Sequence, residues 1–336
     1  MIDTTTWKVQ VTEEQFNKII SRSKEYVEYD HELKQTGFRI LRSNLHIGSY
    51  DSNITLKCFE SQTVSLEFSV PKQHGGNNVE LLYPSRLEQT LLSVHTNLLK
   101  HFGDFPSYKN WYLTRLDLCY AWKMRDQKTA VDALKTLKTF DYPRKFKFLY
   151  KEAVMWRGKY FSLKFYLKEP EFIKHDFKEL VKKGFEEFAK QIGILSSGVL
   201  RFEITFRKEA INNLFGKKLI TYKDLLDKEK LENTLSEYLN KLLLHLDQTV
   251  MDDKQVLECL RKTYSNRKAL RLFVFYMLYN SEKINHRQIL IDHYNPSTIW
   301  RNKCDIAKAG VGLPDQNLST FTLNIPSELV VNKDLS

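Results

Sequence analysis

The chain has 336 residues, 42% of them hydrophobic and 13% aromatic, which excludes a disordered protein and is more than one hydrophobic core usually serves. Its net charge of +11 favours nucleic acid as the partner, because phosphate contacts release counterions. No apolar run is long enough to span a bilayer and residues 1–10 lack a signal-peptide pattern, so we expect a cytoplasmic protein without a membrane partner.

The first 215 residues predict an α+β domain. Short alternating runs separated by turn-rich stretches are typical of antiparallel strands, and longer stretches with apolar residues at helical spacing lie between them. The order of these elements predicts a mainly antiparallel sheet with helices on one face. In chain order the predicted elements are strands at 52–60 and 63–71, a helix at 86–102, a strand at 111–122, a helix at 126–140, strands near 153–168, a helical stretch at 171–193 and a strand at 199–207.

Residues 216–336 predict a helical domain. Near its end, Asn-Pro-Ser-Thr is a helix-start signal with Ser297 as the cap, and the helix runs to Gly310. A short helix, a turn and this second helix suit helix-turn-helix recognition of DNA, with 319–329 as a wing strand. The alternative is a plain helical bundle. The residues expected to contact DNA early in the second helix are Arg301, Asn302 and Lys303.

The stretch YFSLKFYLK, residues 160–168, alternates apolar and polar side chains, which predicts a strand with one buried face. Its other face has Tyr166 between Lys164 and Lys168. One explanation is an ordinary amphipathic strand whose basic face is solvated. The other is an activated nucleophile that faces a polyanion.

Two other strands repeat this design. In LTRLDLCYAW the polar face carries Arg115 and Asp117. In LRFEITFRK the polar face carries Arg201, Glu203 and Arg207. Because a sheet brings matching faces into one plane, we expect the carboxylates and the tyrosine to meet there, each near arginine or lysine. Arg207, at the end of the last strand, is a candidate DNA contact.

This set of side chains suits cleavage of a nucleic-acid strand. Asp117 and Glu203 offer the hard oxygen ligands that bind Mg²⁺ or Mn²⁺, and such an ion polarises a scissile phosphate. A tyrosine that attacks phosphorus forms a 5′-phosphotyrosine and releases a free 3′-hydroxyl. The ordinary pKa of tyrosine is about 10, so the phenol is protonated near neutral pH. Flanking lysines and a metal ion would favour the phenolate, because opposite charge close by stabilises the ionised form.

The three strand motifs resemble, in order and approximate spacing, the replication initiators of filamentous phages, the gene II/X family of phage and plasmid replication proteins. Upstream, GSYDSNITLKC and PKQHGGNN resemble the early strand and the amide- and glycine-rich turn of that family. Downstream, YNPSTIWRNKCDIAKAGVGL resembles its C-terminal X region. More distantly, the motifs are similar to those of plasmid initiators that carry an R-x-D, Y-x-K and R-x-E series.

The resemblance implies a rolling-circle initiator, a metal-dependent enzyme that nicks one strand of a supercoiled origin and later rejoins the displaced circle. Its partners would be origin DNA, as duplex and as single strand, and a host helicase. Carried over to this sequence, Asp117 and Glu203 are metal ligands and Tyr166 is the nucleophile. The implied phosphate contacts are Lys164, Lys168, Arg115 and Arg201.

Some features depart from related nickases. Many of these enzymes use a His-hydrophobe-His metal motif, and no two of the nine histidines here are two residues apart. The departure favours a carboxylate-based site or argues against activity. His74 in the glycine-rich turn is a candidate third ligand, and Tyr160 competes with Tyr166 as the nucleophile. Two other functions stay open: a non-catalytic regulator that recognises origin or promoter DNA, and an RNA-binding protein.

Overall fold

The computed structural model describes two compact units of the chain. The first comprises residues 1–139 and 146–235, and the second comprises residues 140–145 and 236–336. All strands of the described residues lie in the first unit, so the α+β architecture is as predicted. The described residues are 1–30, 35–60, 62–138, 140, 142, 144–243, 253–279 and 294–311.

Ten described strands form one antiparallel sheet in the first unit. They are β1 Ile2–Gln10, β2 Lys24–Asp30, β3 Gln35–His46, β4 Asn53–Glu60, β5 Thr63–Ser69, β6 Tyr112–Lys123, β7 Phe146–Leu149, β8 Ala153–Arg157, β9 Phe161–Leu167 and β10 Val199–Arg207. Their order across the sheet is β2-β3-β4-β5-β1-β6-β10-β9-β8-β7. β1 therefore lies between two halves of the sheet, one formed by β2 to β5 and the other by β6 to β10.

The predicted alternation defines an apolar face of this sheet. Its fully buried residues include Leu116, Leu118, Phe165, Phe202 and Ile204. The ring centres of Phe165 and Phe202, on neighbouring strands, are 4.8 Å apart. Burying one such side chain contributes about 1.5–3 kcal/mol, so a one-residue slip, which would turn this face outward, is strongly disfavoured.

Helices of the first unit contact the sheet and one another. They are α1 Glu13–Ile20, α2 Val70–Gly75, α3 Leu87–Phe102, α4 Gln127–Leu137, α5 Lys168–Phe172, α6 Lys178–Lys182, α7 Glu186–Ser196 and α8 Lys208–Phe215, and α9 Lys228–Leu243 continues into the second unit. A π turn, Ile173–Phe177, joins α5 to α6. The helices predicted on either side of β6 are confirmed as α3 and α4. Asp126 caps α4 by accepting from the Thr129 N–H at 2.7 Å.

The second unit contains α10 Asp253–Thr263, α11 Asn266–Tyr279 and α12 Pro296–Lys308. Its buried core includes Val256, Leu260, Leu272, Phe275 and Ile306. The predicted cap of α12 is wrong by two residues. Asn295, not Ser297, accepts from the Thr298 N–H at 2.8 Å, because Pro296 occupies the first helical position, where its missing N–H costs nothing.

Two predictions about the second unit fall outside the described residues: the wing strand at 319–329 and the short helix before α12. In the parts of the chain that the structure describes, no helix combines the length and the apolar character that a bilayer-spanning segment needs.

Candidate active site

The strand register brings the predicted polar residues to one face, because β6, β10 and β9 are direct neighbours. Glu203 of β10 pairs with Lys164 of β9, and Thr205 of β10 pairs with Asp117 of β6. Tyr166 lies two residues along β9 from Lys164 and therefore on the same face. The three strands do meet as the alternation predicted.

Tyr166 and Glu203 form the centre of this face. The Tyr166 hydroxyl donates to Glu203 Oε2 at 3.1 Å, and Lys164 Nζ lies 4.4 Å from the centre of the tyrosine ring. Tyr166 is only 4% exposed, so the first of the two explanations, an ordinary strand with a solvated polar face, does not hold at this residue. Burial, and next the Glu203 charge, raises the pKa of Tyr166 well above its ordinary value. The expected preference for the phenolate is therefore reversed, because desolvation outweighs the nearby cations.

Arg115 and Asp117 form a two-pronged ion pair beside that centre. Arg115 Nε and Nη2 donate to the two Asp117 oxygens at 3.0 and 2.7 Å, and Arg115 Nη1 lies 3.8 Å from Glu67. Burial raises the pKa of the Asp117 carboxyl to about 7. Arg115 opposes this shift, while the charges of Glu203 and Asp3 add to it. The Asp117 carboxyl is thus buried among charges of both signs, and burial is the largest cause of its raised pKa.

Asp3 is a member of this cluster that the sequence analysis missed. The register of β1 against β6 shifts between Ile2 and Thr5, which interrupts the alternation. Asp3 accepts from the Ser69 hydroxyl at 3.0 Å and lies 3.5 Å from Arg201 Nη1. A single acidic residue in a short run of threonines gave no signal of this position.

Two of the predicted phosphate contacts are buried in the structure. Arg201 is 1% exposed and donates to the carbonyl oxygens of Asn78 and Val79. Lys168 is also buried; it donates to Asn78 Oδ1 at 2.8 Å and pairs with Glu171 at 2.5 Å. Both cations hold the Asn78–Val79 turn over the polar face. Their contact with phosphate stays a prediction that requires this turn to move.

Other predicted residues lie farther along the same strands. Tyr160, just before β9, is 46% exposed, and Lys159 Nζ lies 5.2 Å from its ring centre. Arg207 Nη1 donates to the carbonyl oxygen of Gly158 at 2.7 Å, at the same end of β10. The more accessible tyrosine is therefore Tyr160, and the tyrosine in contact with a carboxylate is Tyr166.

The carboxylates are of the chemical type that binds divalent ions. Asp117 and Glu203 supply hard oxygen donors, and a cation would offset the charge of Glu203, which adds to the effect of burial in raising the pKa of Asp117. Within the described ranges, no group of three or more His, Cys, Asp or Glu side chains is arranged to hold a metal ion. His74 Nδ1 lies 3.3 Å from the Thr90 hydroxyl of α3, and its role as a third ligand stays a prediction.

In the second unit, α12 presents its three predicted DNA-contacting residues differently. Arg301 is exposed, and Lys303 Nζ lies 4.2 Å from the ring centre of Tyr279. Asn302 is 2% exposed, so its amide is buried. Arg301 is the member of this set best placed to meet a partner, and DNA contact by all three stays a prediction.

A family model that describes the N-terminal part of a phage replication-associated protein matches residues 1–228, which include every described strand of the sheet and the whole Tyr166–Glu203 region. The chain belongs to this family of phage replication-associated proteins. The resemblance to phage replication initiators is confirmed at that level. Membership of the gene II/X branch and the likeness to plasmid initiators stay predictions. No curated protein matches the chain.

Proposed function

We propose that this phage replication-associated protein is a rolling-circle replication initiator of the gene II/X type. It nicks one strand of a phage origin through a 5′-phosphotyrosine on Tyr166 and later rejoins the displaced strand, with Mg²⁺ or Mn²⁺ as cofactor. The observation that carries the proposal is the hydrogen bond from the Tyr166 hydroxyl to Glu203, at 3.1 Å, on a face shared with Asp117. A buried phenol beside a carboxylate has its proton acceptor already in place.

The bond changes follow from that contact. The Tyr166 oxygen attacks the scissile phosphorus while its proton passes to Glu203, and the bond from phosphorus to the 3′ oxygen breaks. The leaving 3′ oxygen takes a proton from solvent and becomes a free hydroxyl. Because the pKa of Tyr166 is raised, the phenol enters the reaction protonated and needs this acceptor. Rejoining is the reverse attack by the 3′ oxygen on the phosphotyrosine.

Basic and acidic neighbours assist this step. A divalent ion held by Asp117 and Glu203 would polarise the scissile phosphate and offset the charge on its oxygens. Arg115 fixes the orientation of the Asp117 carboxylate through two hydrogen bonds. Lys164, 4.4 Å from the tyrosine ring centre, would stabilise the negative charge that develops on the phenol oxygen.

DNA reaches Tyr166 only when the Asn78–Val79 turn, which lies over the polar face, moves away. Arg201 and Lys168 bind the Asn78–Val79 turn, and a phosphate group offers both cations an alternative anionic partner. We infer that a DNA strand on this face exchanges these contacts and exposes Tyr166. A host helicase would then separate the nicked strand, and α12 would hold the origin duplex through Arg301.

The test uses a supercoiled plasmid that carries the phage origin. The proposal expects Mg²⁺-dependent conversion to the nicked form and a covalent protein–DNA adduct on a denaturing gel, both absent in EDTA. Intact binding of the plasmid without nicking under any divalent ion would contradict it. That result would favour the second candidate, a non-catalytic DNA-binding regulator, which the burial of Tyr166 also supports.

A further inference from the structure

An exposed aromatic side chain lies at one edge of the sheet. Phe146 of β7, the last strand at that edge, is 70% exposed, more than any other phenylalanine whose side chain the structure describes. Single exposed apolar side chains are common on protein surfaces and need no explanation by themselves. Phe146 differs from these because the strand pairing connects it to the candidate active site.

The register places Phe146 on the face of the sheet that carries Tyr166. Phe146 pairs with Arg157 of β8, and Arg157 pairs with Ser162 of β9. Directly paired residues share a face, and Ser162 is four residues before Tyr166 on the same strand, so these side chains all lie on the polar face. The exposed ring is therefore an extension of that face to the edge of the sheet.

A second row of paired residues crosses the same face two residues farther along the strands. Phe148 of β7 pairs with Met155 of β8, and Met155 pairs with Lys164 of β9. Lys164 in turn pairs with Glu203 of the candidate active site. Phe148, Met155 and Lys164 are each partly exposed. Three strand spacings, roughly 14 Å, separate Phe148 from Glu203, so a strand of a few nucleotides would span the row.

The segment that forms this end of the sheet is basic. Residues 146–167 hold five basic side chains and one acidic side chain, a net charge of +4. The basic residues are Lys147, Lys151, Arg157, Lys159 and Lys164, and the acidic residue is Glu152. Rings interleaved with basic side chains are typical of surfaces that bind single-stranded nucleic acid, because bases stack on the rings while the cations attract the phosphates.

The edge position of β7 suggests a rival occupant, a second copy of the chain that pairs with this strand. The length of β7 opposes this, because it has only four residues, Phe146–Leu149, and one of them is Lys147. Native sheets use short edge strands and lysine to prevent such pairing. The positive charge of the segment would also repel its own copy, whereas it attracts a nucleic-acid strand.

We propose that Phe146 and Phe148 form a stacking platform for unpaired bases of the DNA strand that leads to Tyr166. The inference rests on the proposed function, since it requires a single strand on the polar face. Bases stack on the two rings, while Arg157 and Lys164 attract the phosphates between the platform and the scissile position. Because the platform contacts the flat faces of bases and not their edges, it holds the strand without selecting its sequence.

The test measures binding of the full chain, in EDTA, to two fluorescein-labelled strands of equal length, oligodeoxythymidine and the same backbone with abasic sites. Phe146→Ala should weaken binding of oligodeoxythymidine about tenfold, through the loss of one stacked base, and hardly change affinity for the abasic strand. Phe146→Tyr should retain the affinity, because it keeps the ring, and Phe146→Leu should not. Leu149→Ala is the matched control, because Leu149 is 61% exposed on the same strand but on the opposite face.

Unchanged affinity in Phe146→Ala, or equal losses in Phe146→Ala and Leu149→Ala, would overturn the platform. So would an equal loss on the abasic strand, because no base is present there to stack. Tighter binding of oligouridine than of oligodeoxythymidine would assign the rings to RNA, and a dimer that Phe146→Ala dissociates would assign β7 to a second copy.

Adduct formation on a labelled origin strand is measured separately, at saturating protein with Mg²⁺. An adduct in the wild type together with affinity that does not depend on Phe146 refutes the platform alone. Affinity that depends on Phe146, without any adduct in the wild type, refutes nicking alone.

Discussion

The Tyr166 hydroxyl donates to the Glu203 carboxylate at 3.1 Å, across the neighbouring strands β9 and β10. The two residues are diagonal partners, since Tyr166 pairs with Arg201 and Glu203 with Lys164. Long side chains at such positions reach each other without any distortion of the sheet. The contact therefore depends on the register, and a one-residue slip of that register is disfavoured because it would turn the apolar face outward.

Replacing Glu203 with glutamine should slow adduct formation by about 10²–10⁴-fold, because the amide cannot take the phenol proton. Shape and packing are retained, so affinity for DNA should stay within about twofold, well under 1.4 kcal/mol. Rates are read from single-turnover gels with a labelled origin oligonucleotide. Glu169→Gln on α5 is the matched control. Equal rates for Glu203→Gln and the control would show that Glu203 does not accept the phenol proton.

Asp117→Asn should abolish nicking and change the free energy of unfolding only slightly. Burial and the charges of Glu203 and Asp3 raise the pKa of Asp117, so loss of its charge relieves repulsion, while the amide gives up one of the two hydrogen bonds from Arg115. Plasmid nicking and urea unfolding in EDTA report the two effects, with Asp132→Asn on the exposed face of α4 as the control. Normal nicking by Asp117→Asn in Mg²⁺ would exclude this carboxylate as a metal ligand.

The two lysines that flank Tyr166 should differ in their effect on stability. Lys168→Met leaves the Glu171 carboxylate and the Asn78 amide without their buried partner, which should cost about 3 kcal/mol. Lys164→Met loses only a cation–ring contact of less than about 1 kcal/mol. Urea unfolding compares them directly. Similar losses for both would show that the buried pair contributes no more than the cation–ring contact.

Arg301→Ala should weaken binding to the origin duplex by about 1–3 kcal/mol, if the arginine reads a base. Lys308→Ala, at the exposed end of the same helix, should weaken binding to every duplex slightly and equally. Competition between origin and unrelated duplex separates the two effects. Unchanged affinity in Arg301→Ala would favour the alternative interpretation, in which α12 is part of a plain helical bundle.

The alternation of three strands was enough to predict that Asp117, Tyr166 and Glu203 share a face. Because side chains of a strand alternate between the two faces of the sheet, knowing which residues are apolar assigns every side chain to one face. The order of the strands was not predictable in this way, because pairing is decided by contacts between segments far apart in the chain. The structure supplied the neighbours, and with them the hydrogen bond that carries the proposed mechanism.

Burial of the polar face was not predictable either. Its cover at Arg201 comes from the Asn78–Val79 turn, more than a hundred residues earlier, so the local pattern of β10 gave no sign of it. Asp3 was missed because a register shift in β1 breaks the alternation on which the prediction depended. Sequence pattern located the polar face, and long-range contacts determined which of its groups are accessible.

The most direct test of the account is the identity of the tyrosine that becomes linked to DNA. A labelled single strand carrying the nick site is incubated with the protein and Mg²⁺, and the adduct is digested and mapped by mass spectrometry. The account predicts a 5′-phosphate on the peptide containing Tyr166, absent in Tyr166→Phe and present in Tyr160→Phe. An adduct that persists in Tyr166→Phe, or that maps to Tyr160, would contradict it.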